Sequence, residues 1–103
     1  MTETEFTQLA DAIFDHIIDS LDNTDIDADC TLTGAVLELE FDNGNKIIIN
    51  RHTPNQEIWL AAKTGAYHFS WQNERWLSLR DGCELYSTLS QIILQNTEVA
   101  VDF

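Results

Sequence analysis

The chain has 103 residues, enough for one domain with a single core, and 44% of them are apolar, an ordinary share that argues against disorder despite the charge. Formal net charge is -13, and it is unevenly placed: residues 1–45 hold twelve Asp and Glu and no Lys or Arg, whereas residues 46–103 hold six acids against five bases. That asymmetry argues against nucleic acid or an anionic membrane as partner and for cations, either metal ions or a basic protein surface. No run approaches the roughly 18 to 20 apolar residues that span a bilayer. Residues Met1 to Glu5 lack the basic stretch of a secretory or mitochondrial signal, so a cytoplasmic location is expected. Cys30 and Cys83 stand far apart without a CxxC or Cys/His cluster, which disfavours a zinc site and a disulfide and leaves both as expected core residues.

In chain order, Thr2-Glu-Thr-Glu5 has the pattern of a capping box. Apolar residues then recur at Phe6, Leu9, Ala10, Ile13, Phe14, Ile17, Ile18 and Leu21, the 3.6-residue period of a helix with one wide apolar face. Asp11, Asp15, Asp19 and Asp22 fall within roughly 80° of arc on its polar side and make one carboxylate stripe. Like charges at this spacing, and acids near a helix C-terminus, each cost a few tenths of a kcal/mol. Asp25 to Thr33 alternates as a strand, with Ile26, Ala28, Cys30 and Leu32 inward and Asp25, Asp27 and Asp29 outward. Only two or three residues separate helix and strand, so the two acidic rows should meet as a ridge of seven aspartates. Edge protection is a second reason for charge on such a strand.

Gly34-Ala35 turns into a strand from Val36 to Phe41, whose Leu37, Leu39 and Phe41 oppose Glu38 and Glu40. The pair Asn43-Gly44 is a hairpin signal leading into the β-branched run Lys46 to Arg51. Pro54 reverses the chain within His52 to Asn55. In the next strand, Glu57 to Ala61, Ile58 and Leu60 share the core face, which directs Trp59 toward water. An exposed Trp in mid-strand is the kind of residue that anchors a partner. Ala66 to Trp71 and Arg75 to Leu79 read as two more strands, with Tyr67, Phe69 and Trp71 favouring core packing over a cofactor site. Asp81-Gly82 precedes a last helix, Cys83 to about Gln95, and Val99 to Phe103 covers the groove between the helices.

Helix, about six strands, helix, with hairpin-length connections, implies an antiparallel sheet covered on one side: an α+β two-layer sandwich with both helices on one face. Asn50, Glu57 and Trp59 then lie on the open side. No Gly-rich phosphate loop, nucleophile elbow or HExxH is present, and His16, His52 and His68 sit on separate elements, so no enzyme site is read. Asp25-x-Asp27-x-Asp29 matches the first ligand positions of an EF-hand, but Cys30 replaces its Gly and Val36 its final Glu. What remains is a row of hard oxygen donors suited to loosely held, hydrated divalent or trivalent cations. A basic protein is the other candidate: the ridge steers it and Trp59 holds it. A merely solubilising acidic face is the plain alternative.

The run Ile48-Ile-Asn50-Arg-His-Thr-Pro-Asn-Gln-Glu-Ile58-Trp59-Leu60-Ala61 resembles the signature region of the frataxin family, in its short bacterial branch. The acidic first helix, Phe41-Asp-Asn-Gly44, Tyr67-His-Phe69 and Asp81-Gly82 extend the likeness over nearly the whole chain. It implies the same fold. It also implies a non-enzymatic, iron-binding regulator of iron-sulfur cluster assembly, monomeric without iron, whose partners are the cysteine desulfurase and its scaffold protein. Weakly bound iron, or another divalent cation, would sit on Asp11, Asp15, Asp19, Asp22, Asp25, Asp27 and Asp29, and the partner patch would be Asn50, Glu57 and Trp59. A ferroxidase or iron-storage protein is the alternative. The segment from Leu21 to Asp29 is shorter than in some bacterial relatives, and Glu57 stands where relatives often carry Gln.

Overall fold

The computed structural model describes all residues, Met1–Phe103. Helix α1 (Glu3–Asp22) begins with the capping box: the Glu5 amide donates to Thr2 Oγ1 and the Thr2 amide to Glu5 Oε1, both at 3.1 Å. Six strands follow, β1 (Ala28–Thr33), β2 (Val36–Phe41), β3 (Lys46–His52), β4 (Glu57–Ala62), β5 (Gly65–Gln72) and β6 (Arg75–Ser78), and then α2 (Leu85–Thr97). The strands form one antiparallel sheet in the order of the chain. The expected sandwich is therefore the observed one.

The core lies between the sheet and the helices. Phe6, Ala10, Ile13, Phe14, Ile17 and Leu21 of α1 and Leu85, Leu89, Ile92 and Ile93 of α2 are buried. They meet Leu37, Leu39, Phe41, Ile47, Ile49, Ile58, Leu60, Phe69 and Trp76 from the sheet. Strict alternation in β2, β3 and β4 puts these on one side and leaves Glu38, Ile48, Asn50, Glu57 and Trp59 on the other. Tyr67 and Trp71 pack half-buried against the core beside fully buried Phe69. The last residues close the structure: Val101 is buried, Ser90 Oγ donates to its carbonyl at 2.7 Å, and His16 Nε2 lies 2.7 Å from the Phe103 main-chain oxygen.

Four expectations change. β1 starts at Ala28 instead of Asp25, because Ala28 pairs with Phe41, the last residue of β2, and no strand residue pairs with Asp25, Ile26 or Asp27. Those residues bridge from α1, held by Thr24 Oγ1 donating to the Leu21 carbonyl and accepting from the Ile26 amide. Leu32, expected inward, is 46% exposed, one residue from the end of an edge strand and beside the Gly34 turn. Cys83 is exposed and Cys30 half-buried, both free, so neither is a fully buried core residue. Finally, α2 starts two residues later than expected. The Asp81 carboxylate accepts from the Cys83 amide, and Glu84 caps the helix by accepting from the Tyr86 and Ser87 amides at 2.8 and 3.1 Å.

The two leucines give a direct check. Leu89→Ala, at a fully buried position, should cost about 2 to 5 kcal/mol in urea denaturation. Leu32→Ala should stay within about 0.5 kcal/mol of the parent. A large loss at Leu32 would mean that β1 is covered after all.

Candidate functional site

Two surfaces carry the residues singled out in the sequence. The first is acidic. Asp11, Asp15, Asp19 and Asp22 of α1, Asp25 and Asp27 of the connection and Asp29 of β1 are all exposed. They do not act as one set. Asp11 receives Arg51 Nη1 at 2.7 Å, a pair that joins α1 to the end of β3. Asp11 is 56% exposed, so this pair is worth no more than about 1 kcal/mol, but it leaves Asp11 with a cationic partner that the others lack. At the opposite end of α1 the acids converge. Asp22 and Asp29 both act on Cys30, whose thiol is pushed up first by burial and then by these two charges. Burial and these two charges thus disfavour the free Cys30 thiolate.

Asp42 joins this end of the ridge, a residue the sequence reading passed over. Its carboxyl is raised above the ordinary value chiefly by the charge of Asp27, with smaller contributions from desolvation, a hydrogen bond to Asp27 and the charge of Asp29. The signal was present in the hairpin: Ala28 pairs with Phe41, so Asp42 must leave β2 beside the residues that enter β1. Asp15, Asp19 and Asp25 make no ion pair and no side-chain hydrogen bond. Nowhere do three His, Cys, Asp or Glu side chains converge closely enough to hold a metal ion in a closed site. What the ridge offers is a line of hard, outward-facing oxygen donors, each able to take one side of a hydrated cation.

The second surface is the open face of the sheet. Register places Asn50 opposite Trp59 and Trp59 opposite His68, and sets His52 opposite Glu57. Glu57 Oε1 accepts the Trp59 indole N–H at 2.8 Å. Trp59, expected to face water, is half-buried because two imidazoles stack on it: His52 at 3.7 Å and 8° on one face, His68 at 4.3 Å and 11° on the other. Beside the stack, Ile48, Asn50, Ala61 and Ala66 line a shallow, mainly apolar hollow of about 210 Å³. Asn50, Glu57 and Trp59 are thus neighbours, as expected. The two histidines were missed as part of this patch, although His52 lies two residues along β3 from Asn50 and His68 pairs with Trp59.

A small domain with one bare sheet face and an acidic ridge along its first helix is a recognisable class, and comparison with known proteins identifies it. The family model described as a frataxin-like domain matches residues 1–99. The iron-sulfur cluster assembly protein CyaY of Chromobacterium violaceum is 52% identical over 103 residues, covering all of this chain and 98% of that one. CyaY of Neisseria meningitidis serogroup B is 47% identical over 102 residues, covering 99% and 95%. The solved frataxin of Psychromonas ingrahamii superposes with a TM-score of 0.94 at 35% identity, over 99% of this chain and 97% of that one. Trimeric yeast frataxin, in a structure complexed with ferrous iron, gives 0.76 at 32% identity over 87% and 86%. The chain belongs to the frataxin family, in its bacterial CyaY-type branch. No helix in it is long and apolar enough to cross a membrane.

The crowded carboxylates make a stability prediction. Asp42 binds its proton more tightly in the folded chain than its ordinary value allows. The sign follows: crowding opposes folding above the raised value and is relieved as pH falls through it. Asp27→Asn should therefore raise the thermal midpoint at pH 7, and the gain should shrink as pH falls into the range where Asp42 protonates. Equal midpoints at pH 7 would show that Asp27 and Asp42 do not interact.

Proposed function

We propose that this protein is an iron-binding regulator of iron-sulfur cluster assembly that docks on the cysteine desulfurase and its scaffold. The observation that carries this reading is the pairing of a largely uncompensated acidic ridge with an open sheet face centred on Trp59. The relatives named for cluster assembly, and the yeast relative complexed with ferrous iron, supply the pathway and the ion. Iron is cargo here. Asp15, Asp19, Asp22, Asp25, Asp27 and Asp29 hold it through one or two carboxylates at a time, which suits a cation that must be released again. Asp42 extends this set, while Asp11 contributes less because Arg51 occupies it.

Docking divides the work between the two surfaces. The ridge draws a basic partner surface by long-range attraction, which sets the encounter rate. Asn50, Glu57 and Trp59 then provide the close, partly desolvated contact that sets the lifetime. In this reading the protein acts on the rate of another enzyme, in the cytoplasm, without catalysis of its own. Nucleic acid and membranes are not partners in this reading, and the protein is a monomer until iron binds.

The test is anaerobic cluster formation on the scaffold, driven by the desulfurase, with the wild type, an Asp19/Asp22/Asp25/Asp27→Asn variant and Trp59→Ala. The wild type should change the rate several-fold. The ridge variant should lose most of that effect while staying folded, and Trp59→Ala should weaken docking by about tenfold or more, the size of a loss at a central aromatic anchor. If ridge neutralisation changes only solubility, the ridge is a solvated face. Oxygen consumption faster than buffer on adding ferrous iron would instead identify a ferroxidase or iron-storage protein.

A further inference from the structure

Trp59 is clamped on both faces by imidazoles that differ in their access to water. His68 is exposed, whereas His52 is half-buried and its Nδ1 is shut off from water without a hydrogen-bond partner. A neutral imidazole tolerates this, because one of its nitrogens carries no proton and needs no acceptor. A protonated one does not. Both nitrogens become donors, and the Nδ1–H is then a buried, charged donor with nothing to receive it.

None of the charged groups around His52 gives Nδ1 a hydrogen bond. Glu57 faces it from β4 and attracts an imidazolium, but its Oε1 receives the Trp59 indole N–H and neither of its oxygens reaches Nδ1. His68, from β5, stacks on the far face of the indole. On its own strand, Arg51 is cationic and spends its ion pair on Asp11 of α1. Attraction between an imidazolium and the indole face favours the stack, but it is weaker than the cost of stranding a buried charged donor.

We propose that His52 is a proton-released cover on Trp59: neutral, it lies on the indole, and protonated, it turns out to water and frees that face for docking. The inference rests on the reading of Trp59 as the docking anchor and adds its regulation. His52 is well placed to move, as the last residue of β3 and the one that opens the Thr53–Asn55 turn. Only its side chain has to rotate. Histidine is the side chain suited to change charge near physiological pH, so acidification is the trigger for the cover.

The experiment uses the full chain labelled with 5-fluorotryptophan, with the Trp59 fluorine resonance assigned through Trp59→Phe. Its solvent isotope shift between H2O and D2O reports how much water reaches the ring. In the wild type that shift should grow as pH falls from 8 to 5.5, toward the value that His52→Ala shows at every pH. His52→Gln, which keeps a polar side chain of similar reach but cannot be protonated, should show no pH response and serves if the alanine variant fails to fold. A wild-type shift independent of pH, or a variant that still follows pH as the wild type does, overturns the cover. In binding to the desulfurase–scaffold complex, the wild type should gain affinity from pH 8 to 6 relative to His52→Ala, and an unchanged ratio also overturns it. Trp59→Ala separates the two readings: if it docks as well as wild type, the anchor is elsewhere, while the fluorine shifts decide the cover by themselves.

Discussion

The helices can bury only one side of the sheet, and every other feature of this molecule follows from that. Helix α1 and helix α2 each carry a single apolar face, and together they absorb the inward rows of β2 to β6. The outward rows receive no second layer. Their side chains must either be content in water or find partners among themselves, and both solutions appear. Lys46 lies 3.5 Å from Glu38 on the outer half, and at the centre two histidines and Trp59 cover one another. A bare sheet face with an aromatic centre leaves apolar area on view, the kind of surface at which proteins meet.

The polar face of α1 shows a different choice. Capping at its start and burial along its inner face make the helix stable enough to tolerate an unfavourable outer face. Its last turn carries no basic residue, and acids continue past its end into β1 and the β2–β3 hairpin. The repulsion is concentrated where Asp22, Asp27, Asp29 and Asp42 approach, the place where a cation or a basic surface relieves most of it. Binding and stability are thus linked through one set of charges: whatever neutralises the ridge also stabilises the fold. At the other end of the helix, Arg51 gives Asp11 its counter-charge and fastens α1 to β3.

Ridge and open face are connected by the same strands. β1 and β2 carry acids outward at one edge of the sheet, and β3 to β5 carry the Trp59 patch at its centre. A partner spanning both would meet charge first and an aromatic anchor second. Such an order favours fast encounter over long residence, because electrostatic attraction raises the encounter rate more than it lengthens a complex. Open carboxylates would likewise release a cation that a closed site would retain.

The periodicities were enough to determine much of this. The 3.6-residue repeat from Phe6 to Leu21, the alternation in Val36–Phe41 and Glu57–Ala61, and the Asn43-Gly44 and Pro54 turns specify helices, strands and their antiparallel order, because each depends on neighbours in the chain. The charge asymmetry and the outward direction of Asn50, Glu57 and Trp59 were legible for the same reason. Pairing across the sheet was not. The start of β1 depends on where β2 ends, and the exposure of Leu32 goes with its place near the end of an edge strand. The Arg51–Asp11 pair, the crowding of Asp42 and the His52–Trp59–His68 stack each join residues from different elements. Register and packing bring them together, and which side chains of different elements then touch depends on how the whole sheet is buried beneath two helices, which the pattern of a single element does not show.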